Sequence, residues 1–285
     1  MRVVIGVDWS DQAFAAVTQT FHLYHPTEIT LVHGVDLGIF GYPSLAQIAN
    51  MQGYDDFRNA MVDAGRQLLE RTATMIPSDV KSVRKVNEIG SPAQIVLDSA
   101  QTVAADLIIV GARGRNRVTE AVLGSVSHRV LIHASRPTLI VKGSVRPIHR
   151  VLVAVEGPED AALIKNWLLT HPFKNPVAIS ILTVVQSLRI AAPYDFAGLE
   201  AWSDTAMRYA EDLVKETGSG FMSPQYSVST RVATGDPAAM VADSAQAMDL
   251  VVIASHGRKG INRFLMGSVS HAIVHNTTCP VLVLR

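Results

Sequence analysis

The chain has 285 residues, of which 48% are hydrophobic, 18% charged and 6% aromatic. At roughly 100–200 residues per domain this is one large domain or two ordinary ones, and the aliphatic composition excludes a disordered chain. Twenty-five basic residues balance twenty-five acidic ones, which argues against non-specific nucleic-acid binding and a polybasic membrane anchor, and the single cysteine, Cys279, excludes an internal disulfide or a Cys-rich metal site.

The first predicted element is a strand over Val3–Val7. Asp8 interrupts it too early for a signal-peptide core, and no apolar run approaches the roughly 18 residues of a membrane span. A cytoplasmic location is therefore expected, which the single cysteine fits. A helix follows over Asp11–Tyr24, with Ser10 or Asp11 near its N-cap. Ile29–Val35 reads as a strand, Tyr54–Met75 as a long helix, and Ser82–Glu88 as an alternating segment. Pro92–Ala104 reads as a helix with proline in its first turn. Leu107–Val110 is a strand, Ser125–Ala134 a helix and Thr138–Val141 a strand. Strands alternating with helices predict βαβ units and a mostly parallel sheet covered on both faces, an α/β fold of Rossmann-like type.

The second half repeats the first. Residues 105–142 align without a gap on 248–285, pairing Asp106 with Asp249, Gly124-Ser125 with Gly267-Ser268, Val126-Ser127 with Val269-Ser270, and Pro137 with Pro280. Gly90-Ser-Pro92 matches Gly235-Asp-Pro237, and the strand ending at Asp8 matches one ending at Glu156. A repeat this long exceeds the 20–50 residues of solenoid units, so each copy is a whole domain. The predicted domains are 1–143 and 149–285, joined by the short stretch Gly143–Ile148.

In open parallel sheets, ligands bind at the carboxyl ends of the strands near a topological switch point. That rule nominates Asp8, Gly34 and Gly111–Gly114 in copy one, and Glu156, Val184 and Ala254–Gly257 in copy two. The chemistry there suits a phosphate chain. Glycines allow close backbone approach. Ser125 opens a helix whose free N–H groups and dipole favour an anion, and Ser125, Ser127, Arg113 and Arg115 add donors. Asp8 can accept from a ribose hydroxyl.

The spacing Gly111-x2-Gly114-x9-Gly124-Ser125, with Asp8 ending the first strand, resembles the ATP-binding members of the universal stress protein family. The resemblance spans the chain twice and implies a tandem member, two Rossmann-like domains of adenine nucleotide alpha-hydrolase-like type, each with a five-stranded sheet. It implies ATP as ligand, with or without Mg2+, on Val7, Asp8, Gly34, Val110, Gly111, Arg113, Gly114, Gly124, Ser125, Val126 and Ser127. Asp8 would hold the ribose, Gly34 and Val110 would lie near adenine, and the rest would cradle the phosphates. It also implies that the last strands, Thr138–Val141 and Val281–Leu284, pair the two copies across a two-fold axis within the chain, and that two chains can associate into a dimer. A sensor or switch acting on a protein partner follows, with no dedicated catalysis.

Copy two departs from the pattern. Ala254 replaces the first loop glycine and Glu156 replaces the aspartate, while His256, Gly257, Gly267, Ser268, Val269 and Ser270 keep it, with Val184 beside them. Nucleotide binding is therefore expected first in copy one, with copy two a structural partner or a second site. Two other readings stand beside the switch: a nucleotide-free interaction module and a weak ATPase or autokinase. The chain lacks a G-x-S-x-G elbow and a P-loop, which weakens any enzyme reading.

His271 and His275 lie four apart on one helix, but no third ligand follows at a zinc spacing, so helix-surface or interface histidines and no metal are expected. Cys279 is expected to be a small buried residue. Asp11, Glu159 and Asp160 read as helix caps. Phe40–Phe57 and Ala191–Trp202 read as connectors, with lids over the site or partner surfaces as alternatives.

Overall fold

Val3, Val4 and Ile5 are consecutive aliphatic residues, each at most 1% exposed, and they form the heart of strand β1 (Arg2–Gly6). Burial on both faces is what an internal parallel strand requires. The computed structural model describes residues 1–41, 53–112, 123–186, 199–221, 223–255 and 266–285. The chain divides into two units, Met1–Val145 and Arg146–Arg285.

In the first unit β1 is followed by α1 (Asp11–Leu23), β2 (Glu28–Val35), α2 (Tyr54–Ala73), β3 (Ser82–Ile89), α3 (Pro92–Thr102), β4 (Leu107–Gly111), α4 (Ser125–His133) and β5 (Thr138–Val141). The strand order is β3-β2-β1-β4-β5, all parallel. The chain runs outward from β1 through β2 to β3, then crosses back to β4 on the other side of β1. The switch point is therefore between β1 and β4, whose register pairs Gly6 with Val110. Strand β3 ends the order and is mostly exposed, with Arg84, Lys85 and Glu88 along it. Charges on an edge strand discourage pairing with a stray chain.

The second unit repeats the plan with β6 (Arg150–Ala154), α5 (Pro158–Thr170), β7 (Val177–Val185), α6 (Leu199–Ser219), β8 (Tyr226–Thr234), α7 (Pro237–Ala245), β9 (Leu250–Ala254), α8 (Ser268–Asn276) and β10 (Val281–Leu284). Its order is β8-β7-β6-β9-β10, again parallel, with the switch point between β6 and β9.

Two repeated sequence features acquire physical causes. Gly90 and Gly235 precede α3 and α7 at φ +152° and +146°, where a side chain would be strained. Their N–H groups donate to Val35 O and Val185 O, both at 3.0 Å. Asp106 accepts from Arg2 N at 2.7 Å through its side chain, while its own N–H donates to Arg2 O at 2.9 Å. Asp249 does the same job in copy two with more partners. Its carboxylate accepts from His149 N at 3.0 Å and Arg150 N at 2.8 Å, and pairs with Arg146 Nε at 3.2 Å. Each aspartate thus ties the start of β4 or β9 to the start of the neighbouring central strand. Among the described residues, no helix is long and apolar enough to cross a membrane.

Candidate functional site

The carboxyl ends of β1 and β4 carry the residues that the sequence nominates in copy one. Val7 continues β1; it is buried, and its N–H donates to Val32 O at 2.8 Å. Its carbonyl is bonded by His33 Nδ1 at 2.9 Å. Asp8 is half-buried. Its Oδ1 accepts from Ser10 N at 2.9 Å and from Ser10 Oγ, and Ser10 Oγ in turn accepts from Ala13 N at 3.2 Å as the N-cap of α1. Asp11 is thus the first helical residue and Ser10 the cap. The cap chain fixes one carboxylate oxygen of Asp8, and among the described residues the other holds no hydrogen bond.

On β4 the chain leaves through Gly111 and Ala112, and re-enters at Leu123 and Gly124. Gly124 N donates to Ala112 O at 2.8 Å, which brings the start of α4 back to the strand end. Gly124 is the N-cap of α4, at φ −67° and ψ 160°, without a side-chain cap. The N–H groups of Ser125, Val126 and Ser127 therefore open the helix without intrahelical acceptors. Ser125 is exposed and Val126 half-buried. Ser127 is 3% exposed, and its hydroxyl donates to Ala112 O at 2.8 Å, with Gly124 O at 3.0 Å. Sequence reasoning offers Ser127 as a phosphate donor; the structure commits that proton to the backbone. Arg113 and Gly114 lie outside the described residues, as do His256 and Gly257 of copy two and segments 42–52 and 187–198.

Two predicted glycine contacts have a packing cause. A Cβ on Gly34 would come within 2.6 Å of Pro92 Cα, so this glycine admits the first turn of α3. A Cβ on Gly111 would lie 2.7 Å from the carbonyl carbon and oxygen of Gln12, so this one admits the first turn of α1. Val110 is a buried strand residue, 3% exposed. The elements around the switch point are thus drawn close over the ends of β2 and β4.

Copy two fills both of these gaps. Val184 stands at the Gly34 position and Ala254 at the Gly111 position, and neither has a positive φ. Glu156 is exposed, and its N–H reaches Asp160 Oδ2 at 3.4 Å. Gly157, not a polar side chain, is the N-cap of α5, and Pro158 is at its first position. Val155 O accepts from Thr183 Oγ1 at 3.0 Å in place of a histidine. Gly267 caps α8, Ser268 and Val269 are exposed, and Ser270 Oγ donates to Ala254 O at 3.0 Å, so the serine clamp persists.

Gln12 carries no motif and was not among the nominated residues. Its Oε1 is shielded from solvent and has no hydrogen-bond partner among the described residues. The only sequence signal is an amide in the first turn of α1, four residues after Asp8, where copy two has Asp160. Of the other candidates, Cys279 is buried. His271 and His275 are half-buried, with ring centroids 4.3 Å apart. Phe40 packs edge-on against Tyr54 and Phe57, at 5.3 and 5.7 Å.

The family model described as the universal stress protein family matches residues 1–142 and again 147–285. A universal stress protein of Mycolicibacterium smegmatis is 26% identical over 295 residues, covering 99% of this chain and 96% of the relative. One from Mycobacterium tuberculosis is 26% identical over 297 residues, with the same coverage of each chain. The crystal structure of a universal stress protein from Archaeoglobus fulgidus superposes with a TM-score of 0.68 at 17% identity, covering 100% of this chain and 98% of that one, a likeness of fold.

Proposed function

Since the chain belongs, copy by copy, to the universal stress protein family, we propose that copy one binds ATP and that the protein works as a nucleotide-dependent switch in a cytoplasmic stress response. The observation that carries this reading is the switch point between β1 and β4. There an acceptor with one oxygen to spare, Asp8, and the uncapped start of α4 stand at the ends of neighbouring strands. Such a crevice is where α/β sheets take nucleotides.

The residues present fit the ligand. The spare oxygen of Asp8 would accept a ribose hydroxyl. The N–H groups of Ser125, Val126 and Ser127, the helix dipole and the Ser125 hydroxyl would meet the phosphates. Arg113, Gly114 and a Mg2+ ion would add positive charge and close approach, as the resemblance implies. Ser127 acts indirectly: its bond to Ala112 O holds α4 against β4 and so aims the helix start. Val7, Gly34, Val110 and Gly111 shape the crevice with backbone and small bulk. Binding shifts a partner-competent population only if ATP favours one state over another.

Copy two is the weaker binder in this reading. Val184, Ala254 and the exposed Glu156 all alter the same crevice, which favours a partner domain that kept the frame. The test is the nucleotide content of gently purified, denatured protein, followed by calorimetry with ATP. About one nucleotide per chain is expected, since such sites are few per protein. Twice that would give copy two a working site. No nucleotide and no heat with added ATP would overturn the proposal in favour of an interaction module.

A further inference from the structure

Ser10 holds Asp8 through its carboxylate, but the backbone of Asp8 is fixed from another strand. Val7 N donates to Val32 O at 2.8 Å, which extends the β1–β2 ladder by one bond. The Val7 carbonyl is then taken by a side chain, with His33 Nδ1 2.9 Å away. A carbonyl only accepts, so in that bond the imidazole carries a proton on Nδ1. The peptide unit from Val7 to Asp8 is planar. Holding Val7 O therefore fixes the direction of the Asp8 N–H, and with it the backbone from which the carboxylate departs.

Copy one seats this ring by leaving α2 without a side chain at Gly65. A Cβ there would lie 2.7 Å from His33 Cδ2 and would also meet Asn87 Oδ1. Copy two reaches the same bond with other residues. Thr183 stands at the His33 position and its Oγ1 donates to Val155 O at 3.0 Å, while Ala210 and Val232 stand at the Gly65 and Asn87 positions. Two unlike side chains thus supply one donor to the same carbonyl. What recurs is the donor, not the ring.

We propose that His33 is a positioning residue of the copy one nucleotide site: through its bond to Val7 O it holds the peptide unit that presents Asp8 to the ribose. The inference rests on the nucleotide reading above, in which Asp8 accepts a ribose hydroxyl. Ser10 fixes Asp8 from the carboxylate side and His33 from the backbone side. His33 acts here only through Asp8, so its contribution disappears with the hydroxyls that Asp8 binds.

The experiment is calorimetric titration of the full chain and its His33→Thr and His33→Val variants with ATP and with 2′,3′-dideoxy-ATP, which lacks both ribose hydroxyls. Threonine and valine leave the same gap beside Gly65 and differ in the donor to Val7 O. His33→Thr should bind ATP within about twofold of wild type, since Thr183 makes this bond in copy two. His33→Val should bind ATP about fivefold more weakly than His33→Thr, the worth of one hydrogen bond. With 2′,3′-dideoxy-ATP the two variants should bind alike. A bond that only stabilised the fold would lower the melting of the valine variant and leave its ratio of ATP to dideoxy-ATP affinity equal to that of the threonine variant. If either variant fails to fold, Gly65→Ala and Asn87→Val are added to both, which supplies the packing of copy two. Equal ATP affinity in the two variants overturns the inference, and so does a gap of the same size with dideoxy-ATP. Wild type that binds both nucleotides equally removes the Asp8 contact, and wild type that binds neither removes the nucleotide reading; this inference falls with either.

Discussion

Adding a single methyl group at Gly111 tests whether α1 is seated on the end of β4 as described. In Gly111→Ala the new Cβ would lie 2.7 Å from the carbonyl carbon and oxygen of Gln12 and 3.0 Å from its Cβ, where ordinary contact begins at 3.4 Å. Two of the three obstacles are backbone atoms in the first turn of a helix, so no side-chain rotation relieves them. The turn must retreat by about 0.7 Å, the difference between 2.7 and 3.4 Å. Overpacking of this kind costs about 1–3 kcal/mol. Replacing glycine also returns about 0.4–1 kcal/mol through the unfolded chain. The net expectation is a loss of about 1–2 kcal/mol in the first unit. Trp9 is the single tryptophan of that unit, so a Trp167→Phe, Trp202→Phe background lets its fluorescence report guanidinium unfolding there. The reciprocal change, Ala254→Gly, relieves no clash and should cost only about 0.5–1 kcal/mol in glycine entropy. A Gly111→Ala protein as stable as its parent would refute the seating of α1 on Gly111.

Further outcomes follow from the same geometry. Ser127→Ala removes the donor to Ala112 O, which keeps its bond from Gly124 N, so the loss should be about 1 kcal/mol, or roughly 2–4 °C in melting of the first unit. If Ser125 meets phosphate directly, Ser125→Ala should weaken ATP binding in calorimetry with little change in melting, whereas Ser127→Ala should change both. Asp249→Ala strips two backbone N–H donors and Arg146 of a buried acceptor and should cost about 3 kcal/mol by denaturant titration, more than Asp106→Ala, whose carboxylate serves Arg2 alone among the described residues. Burial pushes the Tyr226 phenol up to about 12, against a weaker lowering by a backbone hydrogen bond with Phe173, and its hydroxyl donates to Leu168 O at 2.6 Å. Because the folded value lies above the unfolded one of 10, the contribution is complete below pH 10 and is lost as pH rises toward 12. Tyr226→Phe should therefore flatten the alkaline limb of a stability–pH curve for the second unit.

The frame was legible because its signals are redundant. Val3–Val7, Leu107–Val110 and Thr138–Val141 are aliphatic runs too short for helices, each is followed or preceded by an amphipathic helix, and the whole series occurs twice. The site was legible only to the level of residue type. Glycine in a sequence does not disclose what approaches it. Gly34 and Gly111 fit a ligand contact equally well until Pro92 and Gln12 are seen against them. Ser127 is a donor by type, but its acceptor, Ala112 O, is a carbonyl fifteen residues earlier that no spacing rule reveals. Gln12 gave no signal because an unsatisfied oxygen is a property of the packed state alone. The comparison between copies supplies what one copy cannot. Ser10, Gly34 and Gly111 face Pro158, Val184 and Ala254 at equivalent positions, while Asp106, Gly90 and Ser127 recur as Asp249, Gly235 and Ser270. The recurring set holds strand ends and helix starts in place through φ values and backbone hydrogen bonds, and either copy would be destabilised without it. The differing set gathers at the carboxyl ends around one switch point, where side chains can change without breaking a ladder bond. At these three positions copy two keeps the frame and exchanges the side chains at the strand ends, so a difference in ligand binding between the copies would arise there without cost to the ladder.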